Sequence, residues 1–414
     1  MHAQDGIETV TVAEIGHKGD GVADSTAGRI FVPMSLPGEA VRIEQAGERA
    51  RVIEIVTPSP DRVAPPCPHF GLCGGCSLQH WAEPAYLEFK RQTVAAAFAD
   101  RGIDATVLPT VAVAPRSRRR AVIAVQRGAD GRFAVGFRER LSHKVAPAAG
   151  CLVVTQAIVD AMPKLIRIAD MLSVPAKGAI FTVIDTETGL DVAVAEARLP
   201  AARRQDVITA VLSLGFARFS IDGETLVEAR PPQMRFGGVA VAIPAGAFVQ
   251  AVASAEEALS NRVVEAVGKA KRVADLFAGS GTFTLRLARG AHVHAVESEA
   301  RALDALSRAA RHAQGLKPIS IETRDLYRRP LMAKELAKYD AVVFDPPRDG
   351  AAPQAKELAK SAVPIIVAVS CNPATLARDA RYLIDAGWRL GPVQPVDQFL
   401  WSHHVEAVAV LTKG

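Results

Sequence analysis

The sequence predicts an α/β protein in three parts: an N-terminal OB-like β-barrel over residues 1–62, a central α/β region over residues 63–245, and a doubly wound, Rossmann-like domain over residues 246–414. Three observations carry this reading. Up to about residue 62, short segments alternate apolar and polar positions between Gly-containing turns; a Pro- and Gly-rich stretch holding three of the five cysteines follows; and from about residue 246 strand-like and helix-like segments alternate. A chain of 414 residues exceeds one ordinary core. With 49% hydrophobic and 22% charged residues and a mean hydropathy of +0.14, it reads as globular rather than disordered. Neither an uninterrupted run of ~18 apolar residues nor a basic, apolar leader in "MHAQDGIETVTV" is found, so the expected location is cytoplasmic, without a membrane partner.

Within residues 1–62, "IETVTVAEIG", "GDGVADSTAGRIFVP" and "GEAVRIEQAGERARVIEIV" read as strands joined by Gly-rich turns, the pattern of a small barrel suited to binding oligonucleotides. "TPSPDRVAPPCPHFGLCGGC" reads as a linker ending in the cysteine cluster. "EPAYLEFKRQTVAAAFADRG" has helix composition, with Gly102 as a cap. From 107 to 245, strands such as "RRAVIAVQR" and "RFAVGFRE" mix with one helical stretch, "QAIVDAMPKLIRIADML". The net charge of +5 leans mildly toward a polyanion, and Arg116, Arg118, Arg119 and Arg120 in "PRSRRR" are the clearest cluster for phosphate contact.

The C-terminal segments alternate as helix "SAEEALSNRVVEAVG", strand "RVADLFA", helix "GTFTLRLARG", strand "AHVHAVE" and helix "EARALDALSRAARHAQG". Strand "YDAVVFD", helix "PQAKELAKS", strand "PIIVAVS", helix "NPATLARDARYLIDAG" and a final strand "HHVEAVAVLTK" complete the pattern. Such a sheet binds ligands beyond the carboxyl ends of its strands, the edge where Phe277, Glu297, Asp345 and Cys371 fall. In "DLFAGSGTFTL", Gly279 and Gly281 let backbone approach a ligand, and Glu297 ends the next strand where a carboxylate meets ribose hydroxyls. The third glycine of a dinucleotide fingerprint is missing, so S-adenosylmethionine fits better than NAD. In "VVFDPPRDG", two prolines hold Asp345 at a fixed angle.

Cys371 closes the β-branched run "PIIVAVS" and is followed by Asn-Pro and a helix. A lone thiol is most often an inert core residue. Here a helix N-terminus just beyond it is expected to lower its pKa from ~8.5, making a soft nucleophile beside a methyl donor. Such a sulfur can add to an electron-poor ring carbon and turn the neighbouring carbon into a nucleophile.

"DLFAGSGTFTL", "DPPRDG", "SCNPATLARD" and "HHVEAVAVL", in that order, resemble the RNA uracil-C5 methyltransferase family, and residues 1–62 resemble the TRAM domain many members carry. The resemblance implies methyl transfer from S-adenosylmethionine to C5 of a uridine in RNA. Cys371 would add to C6 of the uracil, and Glu406 would remove the C5 proton. It places Gln250, Phe277, Thr282, Glu297, Asp325 and Asp345 against the cofactor or the target uracil. The chain departs from the family where Phe-Gln-x-Asn stands as "FVQAV", and where Thr282 replaces a frequent Asn.

Cys67, Cys73 and Cys76 have the spacing C-x5-C-x2-C, and Cys151 stands apart. Spacing alone admits zinc or an iron–sulfur cluster. The resemblance implies a [4Fe-4S] cluster on these four, bracing an RNA-binding central region. A uracil in folded RNA must leave its stack to be reached, and His403 and His404 are expected to be structural or substrate-orienting. The favoured substrate is 23S ribosomal RNA, with tRNA the alternative; no obligate protein partner is evident. An N-methyltransferase would use Asp-Pro-Pro without Cys371 or Glu406, and an RNA-binding scaffold would keep the barrel with a degenerate cleft.

Overall fold

The architecture follows the order of the sequence, as seen in a computed structural model that describes residues 6–128 and 130–413. Met1–Asp5, the start of the expected barrel and of the stretch read for a leader, lie outside the described residues, as do Ala129 and Gly414. Strands β1 (Ile7–Ile15), β2 (Gly21–Ser25), β3 (Gly28–Val32), β4 (Ala40–Ala46) and β5 (Arg49–Thr57) close a barrel in the order β1-β2-β3-β5-β4. Alternation puts Val10, Val12, Ile30, Val32, Val41 and Ile43 inside. Buried Asp20 fastens the barrel to the rest of the chain, accepting from Arg49 of β5 and from Arg140 of the central region.

Helix α1 (Glu83–Ala99) begins with Pro84 in its first turn and ends where Gly102 turns the chain at φ +66°. It buries Val94 and Phe98 in the same core as the C-terminal sheet. The central region is a seven-stranded sheet formed by β6 (Arg120–Arg127), β7 (Phe133–Arg138), β8 (Val145–Pro147), β9 (Ala179–Thr186), β10 (Gly189–Ala195), β11 (Arg218–Ile221) and β12 (Glu224–Glu228). Two helices, α2 (Gln156–Ala169) and α3 (Arg204–Leu214), cover it where the sequence predicts one. The second buries Val207, Ala210, Val211 and Leu214 at helical spacing, but exposed Leu212 puts an apolar side chain on its outer face and blurs the amphipathic signature that marks α2. A hairpin, β13 (Gln233–Phe236) and β14 (Val239–Ala242), leads to Gln250.

The C-terminal sheet contains β15 (Arg272–Leu276), β16 (His292–Glu297), β17 (Ile319–Thr323), β18 (Ala341–Phe344), β19 (Ile365–Ser370), β20 (Trp388–Leu390) and β22 (Glu406–Lys413) in the order β17-β16-β15-β18-β19-β22-β20, with β21 (Gln394–Val396) paired to β22. The first five in that order run parallel and β22 runs antiparallel to β19. Helices α4 (Ala253–Val267), α5 (Thr284–Leu287), α6 (Ala300–His312), α7 (Ala333–Leu336), α8 (Ala352–Ala359) and α9 (Pro373–Asp385) connect or flank these strands. The helix expected over 281–290 shortens to the four residues of α5, because the chain first spends two glycines, at φ +53° and +99°, on the turn after β15. Among the described residues, no helix is long and apolar enough to cross a membrane.

Candidate active site

Strand β15 lies between β16 and β18, so the chain order reverses direction there and opens a crevice at the carboxyl ends. Phe277 follows β15, Glu297 ends β16, Asp345 follows β18 and Cys371 follows β19. Glu406 joins them from the start of the antiparallel strand β22. Ser370 pairs with Ala407 at the end of the β19–β22 ladder, so Cys371 and Glu406 both sit next to that last pair, and the Glu406 charge acts on the Cys371 thiol.

The loop after β15 is shaped for close backbone approach. Phe277 holds φ +61°, a conformation costly for a residue with a bulky side chain. A Cβ on Gly281 would stand 2.5 Å from Leu306 Cδ1, whereas one on Gly279 would meet nothing within 4 Å, so Gly279 faces open space. Its N–H donates to Glu297 Oε2 at 3.1 Å. Glu297 Oε1 accepts from the backbone N–H of Ser298 and Glu299 and from the Ser298 hydroxyl. The Thr282 carbonyl accepts from Arg286, which also binds buried Glu256 at 2.9 Å. Asp325 caps a turn by accepting from the N–H groups of Tyr327 and Arg328, and the Tyr327 ring tilts toward Phe277 at 5.7 Å between centroids. Open space at Gly279, a fixed carboxylate and an aromatic wall fit the adenosyl part of S-adenosylmethionine.

A chain of amides joins Asp345 to Glu406. Gln250 Nε2 donates to Asp345 Oδ2 at 3.0 Å; Gln398 Nε2 donates to Gln250 Oε1 at 2.8 Å and to Glu406 Oε2 at 3.0 Å. Burial pushes the Asp345 carboxyl up to about 7 against the Gln250 hydrogen bond, and burial followed by the Asp345 charge pushes Glu406 well above the usual carboxylate range.

The Cys371 thiol is not activated as expected from the helix that follows it. Burial first, then the charges of Glu406 and Asp345, push it up to about 12, with Arg348 opposing. The start of α9 offers the sulfur little: Pro373 has no N–H, and the Ala374 N–H is taken by the Asn372 side chain at 3.2 Å. A second acid, Asp275, escaped the sequence reading because it lies inside a buried strand. It accepts from Thr284 Oγ1 at 2.5 Å, its other oxygen has no partner among the described residues, and burial lifts it to about 7.

Cys67, Cys73, Cys76 and Cys151 line one cavity of about 590 Å³. Cys151 comes from the loop before α2, opposite the other three in sequence. Burial raises Cys76 to about 12 and raises Cys73, and in both the neighbouring thiols add to the rise. Gly75 N–H points at Cys73 Sγ, 3.4 Å away. Among the described residues, no three His, Cys, Asp or Glu side chains are grouped to hold a single metal ion. The same cavity is lined by Arg348, His403 and His404. Burial holds the two histidines down at about 3 and about 4, and their rings lie 4.0 Å apart.

The arginine cluster is largely used inside the protein. Arg119 donates to Glu256 at 2.6 Å and to the Gln250 carbonyl at 3.1 Å; Arg118 stands over the Phe399 ring and Arg120 over Phe248. Arg116 is the exposed member.

Residues 239–414 match a family model described as tRNA (Uracil-5-)-methyltransferase. A protein of Brucella suis biovar 1 described as an uncharacterized RNA methyltransferase is 49% identical, over 98% of each chain. The 23S rRNA (uracil(1939)-C(5))-methyltransferase RlmD of Alkalilimnicola ehrlichii is 34% identical, covering 98% of this chain and 96% of its own. The crystal structure of Pyrococcus abyssi tRNA (uracil-54, C5)-methyltransferase with S-adenosyl-L-homocysteine superposes with a TM-score of 0.73 at 25% identity, covering 97% of this chain and 99% of that one. The barrel, the crevice at the strand reversal and these relatives agree: the chain belongs to the RNA uracil-C5 methyltransferase family.

Proposed function

We propose that this enzyme methylates C5 of a uridine in RNA through a covalent bond between Cys371 and C6 of the ring, and that its substrate is 23S ribosomal RNA. The observation that supports the reading is that Glu406 and Asp345 both lie near enough to Cys371 for their charges to add to the rise that burial causes at its thiol, where β19 and β22 end their pairing at Ser370 and Ala407. Bound S-adenosylmethionine supplies an electrophilic methyl group on a sulfonium. Cys371 Sγ gives up its proton to solvent and bonds to C6, and the ring electrons move toward C5, which takes the methyl group. Glu406, raised by burial and by Asp345 and so a strong base once its own proton has gone to solvent, then removes the C5 proton; the C5=C6 bond re-forms and the C6–S bond breaks, returning the thiolate. The amide chain through Gln398 and Gln250 keeps Glu406 and Asp345 at fixed positions around the ring. Burial and the charges of Glu406 and Asp345 raise the thiol in the free site, and a positively charged cofactor beside it would oppose that rise.

The four cysteines fit a [4Fe-4S] cluster on the chemistry of the donor set. Thiols that burial keeps protonated need metal charge to become thiolates. Cys67, Cys73, Cys76 and Cys151 would hold the cluster, which would brace the loop of residues 67–76 against the central sheet. The N-terminal barrel is proposed to be a TRAM-like RNA-binding module.

The ribosomal substrate is favoured by full-length similarity to RlmD, whose name carries 23S rRNA. Mapping 5-methyluridine in total RNA from cells with and without this protein tests activity and substrate together. Loss of one 23S position supports the reading, loss of a tRNA position moves the substrate, and an unchanged map overturns it. A Cys371→Ala variant that still methylates would favour an amine-directed enzyme.

A further inference from the structure

We infer that Lys90 and Tyr86 of helix α1, together with Asp397, are positioning residues that set the loop carrying Gln398 for the proton-removal step at Glu406. The inference rests on the covalent reading above. Residues 397–405 run from β21 to β22 without regular secondary structure. Their internal backbone bonding is sparse: Ser402 N–H reaches the Phe399 carbonyl at 3.0 Å. The conformation is imposed instead from a helix more than 300 positions away in sequence.

All three donors of Lys90 are used on this one loop. They go to Asp397 Oδ1 at 2.5 Å, to the Phe399 carbonyl at 3.2 Å and to the His404 carbonyl, two residues before Glu406. Tyr86 donates to the other Asp397 oxygen at 2.7 Å and accepts from the Trp401 N–H at 2.7 Å. Trp401 sits at φ +58°, and its carbonyl is held by the N–H groups of Ser77 and Leu78. Lys90 and Asp397 side chains are both fully inaccessible. An ion pair so placed gains little over apolar packing, and its best-attested use is to select one arrangement among several. Here the selected arrangement puts the Gln398 amide on Glu406. Helix α1 can serve as the anchor because Val94 and Phe98 fix it in the core of the catalytic sheet.

The test uses the full chain with both charges removed, Lys90→Met with Asp397→Asn, so that no buried charge is left alone. Circular dichroism and calorimetric S-adenosylmethionine affinity are compared with the parent. The expected result is unchanged cofactor affinity and a kcat lower by roughly 10²-fold, the scale of a displaced general base. A covalent protein–RNA complex should also accumulate on denaturing gels with ordinary uridine RNA and methyl donor, because methylation proceeds while C5 proton removal lags. Unchanged kcat overturns the proposal, as does a lower kcat without an accumulated complex. Should the double variant fail to fold, Tyr86→Phe reads the same accumulation, and its absence there is equally decisive. Failure of the parent enzyme to trap 5-fluorouridine RNA sinks the covalent reading itself. A failed clamp leaves that trap intact.

Discussion

Cys371 follows Ser370 and Glu406 precedes Ala407, the residues whose pairing closes the β19–β22 ladder, and the Glu406 charge is felt at the Cys371 thiol. A thiol just past the end of one strand and a buried carboxylate at the start of its antiparallel neighbour are held together more firmly than they would be on separate loops. Under the proposed mechanism, a uracil set against them presents C6 to the sulfur and C5 to the carboxylate.

Gln250 donates to Asp345 and accepts from Gln398, so it joins both acids. Gln250→Ala strands two buried polar partners, at ~1–3 kcal/mol for an unsatisfied group, and kcat should fall about 10- to 100-fold. Methyl transfer from radiolabelled S-adenosylmethionine measures it; a rate unchanged from wild type would remove the amide chain from the mechanism.

Arg119 ties the central region to the loop after β15 through Glu256, which also holds Arg286, a donor to the Thr282 carbonyl. Arg119→Met leaves a carboxylate that is 1% exposed with one cation fewer. Stability should drop by about 2–4 kcal/mol, read as a lower urea midpoint at constant m-value, with weaker cofactor binding. Weaker RNA binding alone, with stability kept, would return Arg119 to phosphate contact.

Asp275 has a folded pKa of about 7 against an ordinary 3.8. Between those values the folded chain keeps a proton that the unfolded chain has lost, so rising pH favours unfolding in that window and has no further effect through this group above it. The wild-type stability relative to Asp275→Asn should therefore worsen from pH 4 to 7, by on the order of a few kcal/mol, then level off. Denaturant titrations at several pH values test this; a difference that stays flat contradicts it.

With its thiol pushed up to about 12, Cys371 in the free enzyme should alkylate with iodoacetamide at pH 8 at least about ten-fold more slowly than an ordinary thiol. Peptide mapping by mass spectrometry gives the rate at this position. Fast alkylation would mean that the sulfur is a standing thiolate, as the sequence suggests.

The four-thiol cavity predicts that protein prepared without oxygen holds about four iron and four sulfide per chain. Cys151→Ser should lower that content and raise proteolytic sensitivity between residues 67 and 76. Stoichiometric zinc without sulfide would contradict the cluster.

The sequence made the edge of the site legible because its signals are local. A β-branched run ending in Ser-Cys-Asn-Pro, a glycine pair after a buried strand, and a glutamate inside an apolar strand each announce a position in the sheet. What stayed hidden depends on residues that meet only after folding. Lys90 looks like one of several charges on an ordinary helix, and Asp397 and Gln398 like loop polarity, until the fold buries them together. The arginine run read as phosphate contact because composition cannot tell that Glu256 awaits Arg119. The raised thiol pKa was hidden for the same reason. The helix N-terminus is visible in the sequence, whereas the Asn372 bond that uses its first free N–H and the two carboxylates beside the sulfur are not.

The most direct test is incubation of the wild-type enzyme and Cys371→Ala with methyl donor and target RNA carrying 5-fluorouridine, whose C5 has no proton to remove. The account predicts a denaturation-resistant protein–RNA complex that maps to Cys371 in the wild type and is missing from the variant. No complex, or one attached at another residue, would contradict it.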